Sequence, residues 1–157
     1  MTSQLLTSSG ELDAAVDRLL ELASSTIDIF DRDLVALALD RPARITALQR
    51  VLGERAHQVR IVVQVGARVQ TGFPRLMRLL ETHSHHFSLI QAADSVLELA
   101  DTMLIADGKH ALVRFHRDQP RGRLIEDDAG EVHGYATRFA DILAEGGNPL
   151  SARVAGL

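Results

Sequence analysis

The sequence predicts an α/β fold: one domain over residues 1–157, built on a mixed, largely parallel sheet flanked by helices. Three observations lead there. Short β-rich runs at Thr26–Phe30, Gln58–Val65 and Phe87–Gln91 alternate with stretches of helical period, the pattern of successive right-handed βαβ crossovers. The dipeptide Asp107-Gly108 then stands between two apolar runs, Thr102–Ala106 and His110–Phe115, where it supplies the positive φ angles of a tight hairpin. Finally, 157 residues with 46% hydrophobic and 24% charged side chains suit a single core of ordinary soluble composition.

Taken in order, Ser8-Ser9-Gly10-Glu11 has the spacing of a capping box, and Leu12, Ala15, Val16, Leu19, Leu20 and Ala23 follow on one helical face. Residues 1–8 ahead of this helix and the tail 151–157 carry no periodic pattern and are expected to be loosely ordered. Thr26–Phe30 is the first strand, with Asp31-Arg32-Asp33 just beyond its end. Asp40 is placed to cap a helix that has Pro42 in its first turn and runs through Ile45, Leu48 and Leu52 to about Ala56. Val59-Arg60-Ile61-Val62-Val63 reads as a central strand buried on both faces. Gly66–Thr71 reads as a loop, Phe73, Leu76, Met77 and Leu80 as a third helix, and Phe87–Gln91 as a third parallel strand. After the hairpin, Arg121–Glu126 reads as an antiparallel edge strand. A last helix carries Val132, Tyr135, Ala136, Phe139, Ile142 and Leu143 on one stripe and is ended by Gly146-Gly147-Asn148-Pro149.

Composition excludes several functions. With no cysteine, disulfides, thiolate catalysis and Cys-ligated metal sites are ruled out. A net charge of −4 speaks against nucleic acid as a partner over the whole surface, which needs many Lys and Arg facing phosphates. No run approaches the roughly 18 apolar residues that span a bilayer. Residues 1–10 have neither a basic n-region nor an apolar h-region, so a cytoplasmic location without a membrane partner is expected. His83, His85 and His86 have the composition of a metal cluster, yet no acidic residue or Cys stands at ligand-like spacing. They read as a solvated turn, and neither a metal nor a cofactor is expected. No nucleophile elbow is present to support acyl transfer.

The hairpin also carries a family likeness. Asp107, Gly108 and the Ala111-Leu112-Val113 that follows resemble the hairpin of the phospholipase D superfamily, whose active-site motif is His-x-Lys-x-x-x-x-Asp. Counting back from Asp107 places the motif's His at Ala100 and its Lys at Thr102, so both catalytic groups are replaced. Where superfamily members continue with Gly-Ser and then Asn, this chain has Arg114, Phe115 and Arg117. More narrowly, Ile29-Phe30, Val59–Gln64, Leu79-Leu80 and Leu104–Gly108 resemble a family of uncharacterised bacterial domains that also occur C-terminal to GNAT-type acetyltransferase domains. The resemblance implies a phospholipase D-like single repeat and a non-catalytic binding or regulatory module. It further implies a homodimer that pairs the two motif regions, and an acetyltransferase as a candidate protein partner.

Ligands of open α/β sheets bind beyond the carboxyl ends of the strands, which makes Asp31, Arg32 and Asp33 after the first strand and Gly66 to Arg68 after the central one the place to expect a pocket, with Asp31, Asp33 and Arg68 as the candidate ligand-binding residues. Arg114 and His116, at alternate positions of the hairpin, are expected to share a face and to hold a phosphate or an acidic partner. With Thr102 and Arg117 these complete the candidate ligand-binding set. Two plainer readings compete: charges that keep an exposed hairpin from aggregating, and Asp33 with Asp40 capping the segment around Leu34–Leu39. The alternative function is a hydrolase or transferase acting on a phosphorylated or nucleotide substrate, with Asp31, Asp33 and the Arg114 region as working groups.

Overall fold

Apolar side chains on both faces of the inner strands make the sheet the middle layer of three. The computed structural model describes residues 2–151. Its strands are β1 (Thr2–Leu6), β2 (Thr26–Asp31), β3 (Gln58–Val63), β4 (Phe87–Ala92), β5 (Thr102–Ala106), β6 (His110–Arg114), β7 (Gly122–Glu126) and β8 (Gly147–Pro149). Its helices are α1 (Ser9–Leu22), α2 (Pro42–Val51), α3 (Gly66–Gly72), α4 (Pro74–Thr82) and α5 (Ala129–Ala144), with one 3₁₀ turn at Asp94–Val96. All eight strands form one sheet in the order β1-β7-β6-β5-β2-β3-β4-β8. As the βαβ spacing requires, β2, β3 and β4 are parallel neighbours. The remaining pairings are antiparallel.

Alternation along the strands divides the core. Ile27 and Ile29 of β2 pack with Leu19 of α1, Leu48 of α2 and Leu76 of α4. Phe30, one residue on, faces the other way and packs with Met103, Val113, Val132, Phe139 and Ile142 under α5. Arg60 bridges the two chemistries. Its guanidinium lies 5.6 Å from the centre of the Phe139 ring and makes a two-pronged pair with Asp28 at 2.8 and 2.9 Å.

The hairpin forms where the sequence places it. Asp107 and Gly108 take φ of 57° and 68°, the left-handed pair that Asp-Gly tolerates best. Asp107 also ties the turn to the start of β2. Its carboxylate accepts the main-chain N–H groups of Ser24, Ser25 and Thr26 at 3.0, 2.7 and 3.0 Å. The hydroxyls of Ser24 and Ser25 donate to it at 3.1 and 3.0 Å. Burial alone would raise the pKa of this carboxyl, but the main-chain donors of Thr26, Ser25 and Ser24 outweigh it and hold the group down at about 2.

Several expectations are corrected. Residues 2–6, expected to be loosely ordered, pair with all five residues of β7, so β7 is an inner strand and β1 is the edge. Only Leu6 of β1 is buried, which is why no alternation marks the strand in the sequence. Gly66–Gly72 is helical rather than a loop, because Val69 finds the core and fixes the turn. The second helix ends at Val51, well short of Ala56. Asp40 does not cap it: its carboxylate accepts the Leu76 N–H at 2.8 Å and so caps α4, a partner far away in sequence. Segment 34–39 is a run of turns, with Leu34 and Ala38 at φ of 64° and 43°. Beyond Gly146, Gly147–Pro149 adds the edge strand β8 to β4. Of the tail, residues 152–157 lie outside the described residues.

Candidate functional site

Because β5 lies antiparallel beside β2, the last residue of β2 meets the first of β5 at the carboxyl end of the parallel strands. Asp31 is 2% exposed there, and its carboxylate accepts the Thr102 hydroxyl on one oxygen and the Leu34 N–H at 2.8 Å on the other. Asp33 accepts the Val35 N–H at 3.1 Å and pairs with Arg68 of α3 at 2.8 Å. These bonds fold the chain back over the sheet end. The following turns are held from below by Arg44, which is 1% exposed. Its guanidinium donates to the Leu37 carbonyl, to the Asp13 carbonyl and carboxylate at 3.0 and 2.8 Å, and to Asp17 at 2.9 Å. Burial works against the Arg44 charge, yet the carboxylates of Asp17 and Asp13 outweigh it and raise its pKa above the ordinary arginine value.

Opposite this segment, the chain leaving β6 supplies the second wall. Arg114 donates from Nε to the Gln119 carbonyl. Arg117 donates from Nη1 to the Leu99 carbonyl at 3.0 Å, and its main-chain N–H to the Ala100 carbonyl at 2.7 Å. Gln64, just past β3, donates to the Leu99 carbonyl at 2.7 Å and ties the 3₁₀ segment to the same end of the sheet. The Nε of Arg117 is buried without a hydrogen-bond partner among the described residues.

Between the two walls lies a cleft of about 350 Å³. Of the residues singled out from the sequence, Asp31, Asp33, Arg68, Arg114 and Arg117 line it. Thr102 sits beneath the surface at 1% exposure, under Asp31. His116 does not join them. The strand ends at Arg114, so alternation no longer governs the next two residues, and the imidazole Nδ1 instead accepts the Asp118 N–H at 3.2 Å within its own turn. Arg32, expected beside a pocket with Asp31 and Asp33, lines the cleft as well, and so does Asp118, which was not among the expected residues. Nothing local announces Asp118, Gln64 or the buried Arg44.

A larger hollow, about 500 Å³, lies between α4, β4 and β8 and is lined mainly by apolar groups such as Leu80, Phe87, Leu89 and Leu150. The convergent charges are in the smaller cleft, which is therefore the candidate site. At the His turn, the rings of His83 and His86 meet edge to face at 5.5 Å, and His86 Nδ1 is 2.9 Å from the His57 carbonyl. Among the described residues no three His, Cys, Asp or Glu side chains are grouped to hold a metal ion.

The family model that matches, described as Domain of unknown function (DUF7931), covers residues 8–148. The chain belongs to this family. Solved structures place the DUF7931 domain in a wider fold group. TrmBL2, an archaeal chromatin protein whose structure shows a novel mode of DNA binding, is 14% identical with a TM-score of 0.69, over 96% of this chain and 55% of that one. Nuc from Salmonella typhimurium, a phospholipase D family member, is 14% identical with a TM-score of 0.63, over 96% of this chain and 98% of Nuc. NucT from Helicobacter pylori is 13% identical with a TM-score of 0.60, over 94% and 98% of the two chains. The DUF7931 domain thus spans about half the length of TrmBL2 and nearly all of Nuc and NucT. These likenesses establish a phospholipase D-like fold. No curated protein matches by sequence. Among the described residues no helix is long and apolar enough to cross a membrane.

Proposed function

We propose that the DUF7931 domain is a non-catalytic binding or regulatory module that holds an anionic, phosphate-bearing ligand in the cleft at the carboxyl ends of β2 and β3. The observation that carries the reading is the lining of that cleft: Arg32, Arg68, Arg114 and Arg117 converge there, and among the described residues no His, Lys, Ser or Cys lines it. Family chemistry needs a nucleophile and a cation where negative charge develops. In the register proposed from the hairpin those positions are Ala100 and Thr102, and the Thr102 hydroxyl is given to Asp31. Asp31 and Asp33 each accept hydrogen bonds on both oxygens, which speaks against either as a free base and so against the hydrolase or transferase reading. Among the described residues the Arg117 Nε is a buried donor without an acceptor.

A homodimer through the cleft face is part of the proposal. Val35 and Phe115, which are 56% and 44% exposed, are the chain neighbours of Ala36 and Arg114 in the cleft lining, so exposed apolar side chains flank the charged cleft. The DNA binding described for TrmBL2 adds nucleic acid to the ligands worth testing, alongside free phosphate and nucleotides. An acetyltransferase remains the protein partner proposed from the family's domain fusions, to be sought by co-purification from the native cell.

The test is calorimetric titration with inorganic phosphate, a nucleotide and a short DNA duplex. Saturable binding that weakens roughly tenfold in Arg114→Ala, the worth of one charge-assisted hydrogen bond, is expected. Metal-controlled turnover of a chromogenic phosphodiester that disappears on changing Thr102 or Arg114 would overturn the non-catalytic reading. Light scattering near 17.2 kDa at micromolar concentration would remove the dimer.

A further inference from the structure

We propose that the hollow between α2 and α4 is a second anion site, which takes a phosphate group and shares no residue with the cleft. Its lining follows from helix geometry. Ile45 and Gln49 stand one turn apart on α2, and Arg75, Arg78, Leu79 and Thr82 fall at successive turns along one face of α4. The two faces meet around a space of about 300 Å³. Leu79 belongs to the core and Ile45 packs against it, which gives the hollow an apolar floor under a polar lining.

Charge, free donors and shape select the occupant. Two guanidinium groups line the hollow and no carboxylate does, in a chain whose net charge is −4. The cleft and the apolar hollow beside β8 each have at least one carboxylate in their lining. The fold ties most arginines to a carboxylate or a main-chain carbonyl, and among the described residues only Arg32, Arg55, Arg78 and Arg121 lack such a partner. Arg55 and Arg121 are exposed on the chain between elements, whereas Arg32 lines the cleft and Arg78 lines this hollow.

The amide of Gln49, on the facing helix, has no hydrogen-bond partner among the described residues either. Arg75 reaches Asp40 only at 3.4 and 3.5 Å, beyond the usual length of such a bond, so its guanidinium is open to a better acceptor. Donors thus come from both helices, and the anion must offer oxygens in more than one direction, as a tetrahedral phosphate does and a planar carboxylate does not. The carbonyl groups at the end of α4, where His83 also lines the hollow, disfavour an anion, so its seat is on the side of Arg75 and Arg78.

Titration of isotope-labelled protein with inorganic phosphate, read by nuclear magnetic resonance at each main-chain amide, resolves this site from the cleft. The amides of Gln49, Arg78 and Thr82 should shift along one saturable curve at roughly millimolar phosphate, as suits a few charge-assisted hydrogen bonds at a site open to solvent. Arg78→Ala should weaken that curve roughly tenfold and leave the response of the cleft amides as it is. Gln49→Glu, which sets a carboxylate against the anion, should abolish it. Both side chains are exposed, so neither change should alter the circular dichroism. An equal response to sodium chloride at matched ionic strength, a curve unchanged in both variants, or acetate bound as tightly as phosphate overturns the proposal. So does silence at α2 and α4 while the cleft amides respond, a result that leaves the cleft reading standing. A response at α2 and α4 with none at the cleft supports this site and counts against the cleft.

Discussion

At the start of β2 the Asp107 carboxylate is surrounded by three main-chain N–H groups and two hydroxyls. At the far end of the same strand Asp31 has, among the described residues, only Thr102 and Leu34, and the neighbouring Arg117 keeps a buried Nε without a partner among them. Both ends join β2 to the same strand, β5, so the difference is not one of topology. One end is closed by matching donors to acceptors and serves as a latch. The other is assembled from charged groups that the fold brings together without satisfying all of them, which is how a site differs from a joint.

The largest expected effect is at the latch. Asp107→Ala leaves the N–H groups at the start of β2 without their acceptor, and we expect a loss of about 3 kcal/mol in chemical denaturation. A loss under about 0.5 kcal/mol would break the comparison, because the latch would then be ornamental. Next is Thr102→Val, which keeps the shape and removes the donor to buried Asp31; roughly 1–2 kcal/mol of destabilisation is expected from the midpoint shift.

Acid should find the latch next. The Asp107 pKa is depressed in the folded protein, from 3.8 to about 2, so its stabilisation is present above the unfolded value and lost as pH falls through 3.8 toward 2. The shift is worth about 2 kcal/mol at full value and about 1 kcal/mol once solvent screening of this partly exposed group is allowed for. That acid-dependent loss, followed by urea unfolding at stepped pH, should vanish in Asp107→Asn. The smallest effect on stability is expected at the cleft rim. Arg114→Ala should stay within about 0.5 kcal/mol of wild type. A large destabilisation there would erase the distinction between the two ends.

The hairpin and the parallel trio were legible because their signals are local: Asp-Gly for the turn, β-branched residues at Val59–Val63 for a strand buried on both sides. β1 and β8 were not, since Thr2–Leu5 and Gly147–Pro149 bury almost nothing and exist as strands through their neighbours' backbones. The same holds for the cleft. Asp31, Asp33 and Arg68 follow from the rule that ligands meet strand ends, and Arg114 and Arg117 from their density in the chain. His116 failed because the strand stops two residues too soon, and Arg44 was invisible because burial of an arginine is decided by Asp13, Asp17 and Leu37 from other segments.

Because β5 lies against β2, the order of synthesis limits the order of assembly. A nascent chain that has emerged only as far as β4 has made the parallel trio but leaves the flank of β2 open, and Asp31 must wait seventy-one residues for Thr102. Until the hairpin leaves the ribosome, the half-built sheet offers a bare rim to other chains. The hairpin, once free, closes that rim, and the cleft exists only once the chain has emerged past Asp118.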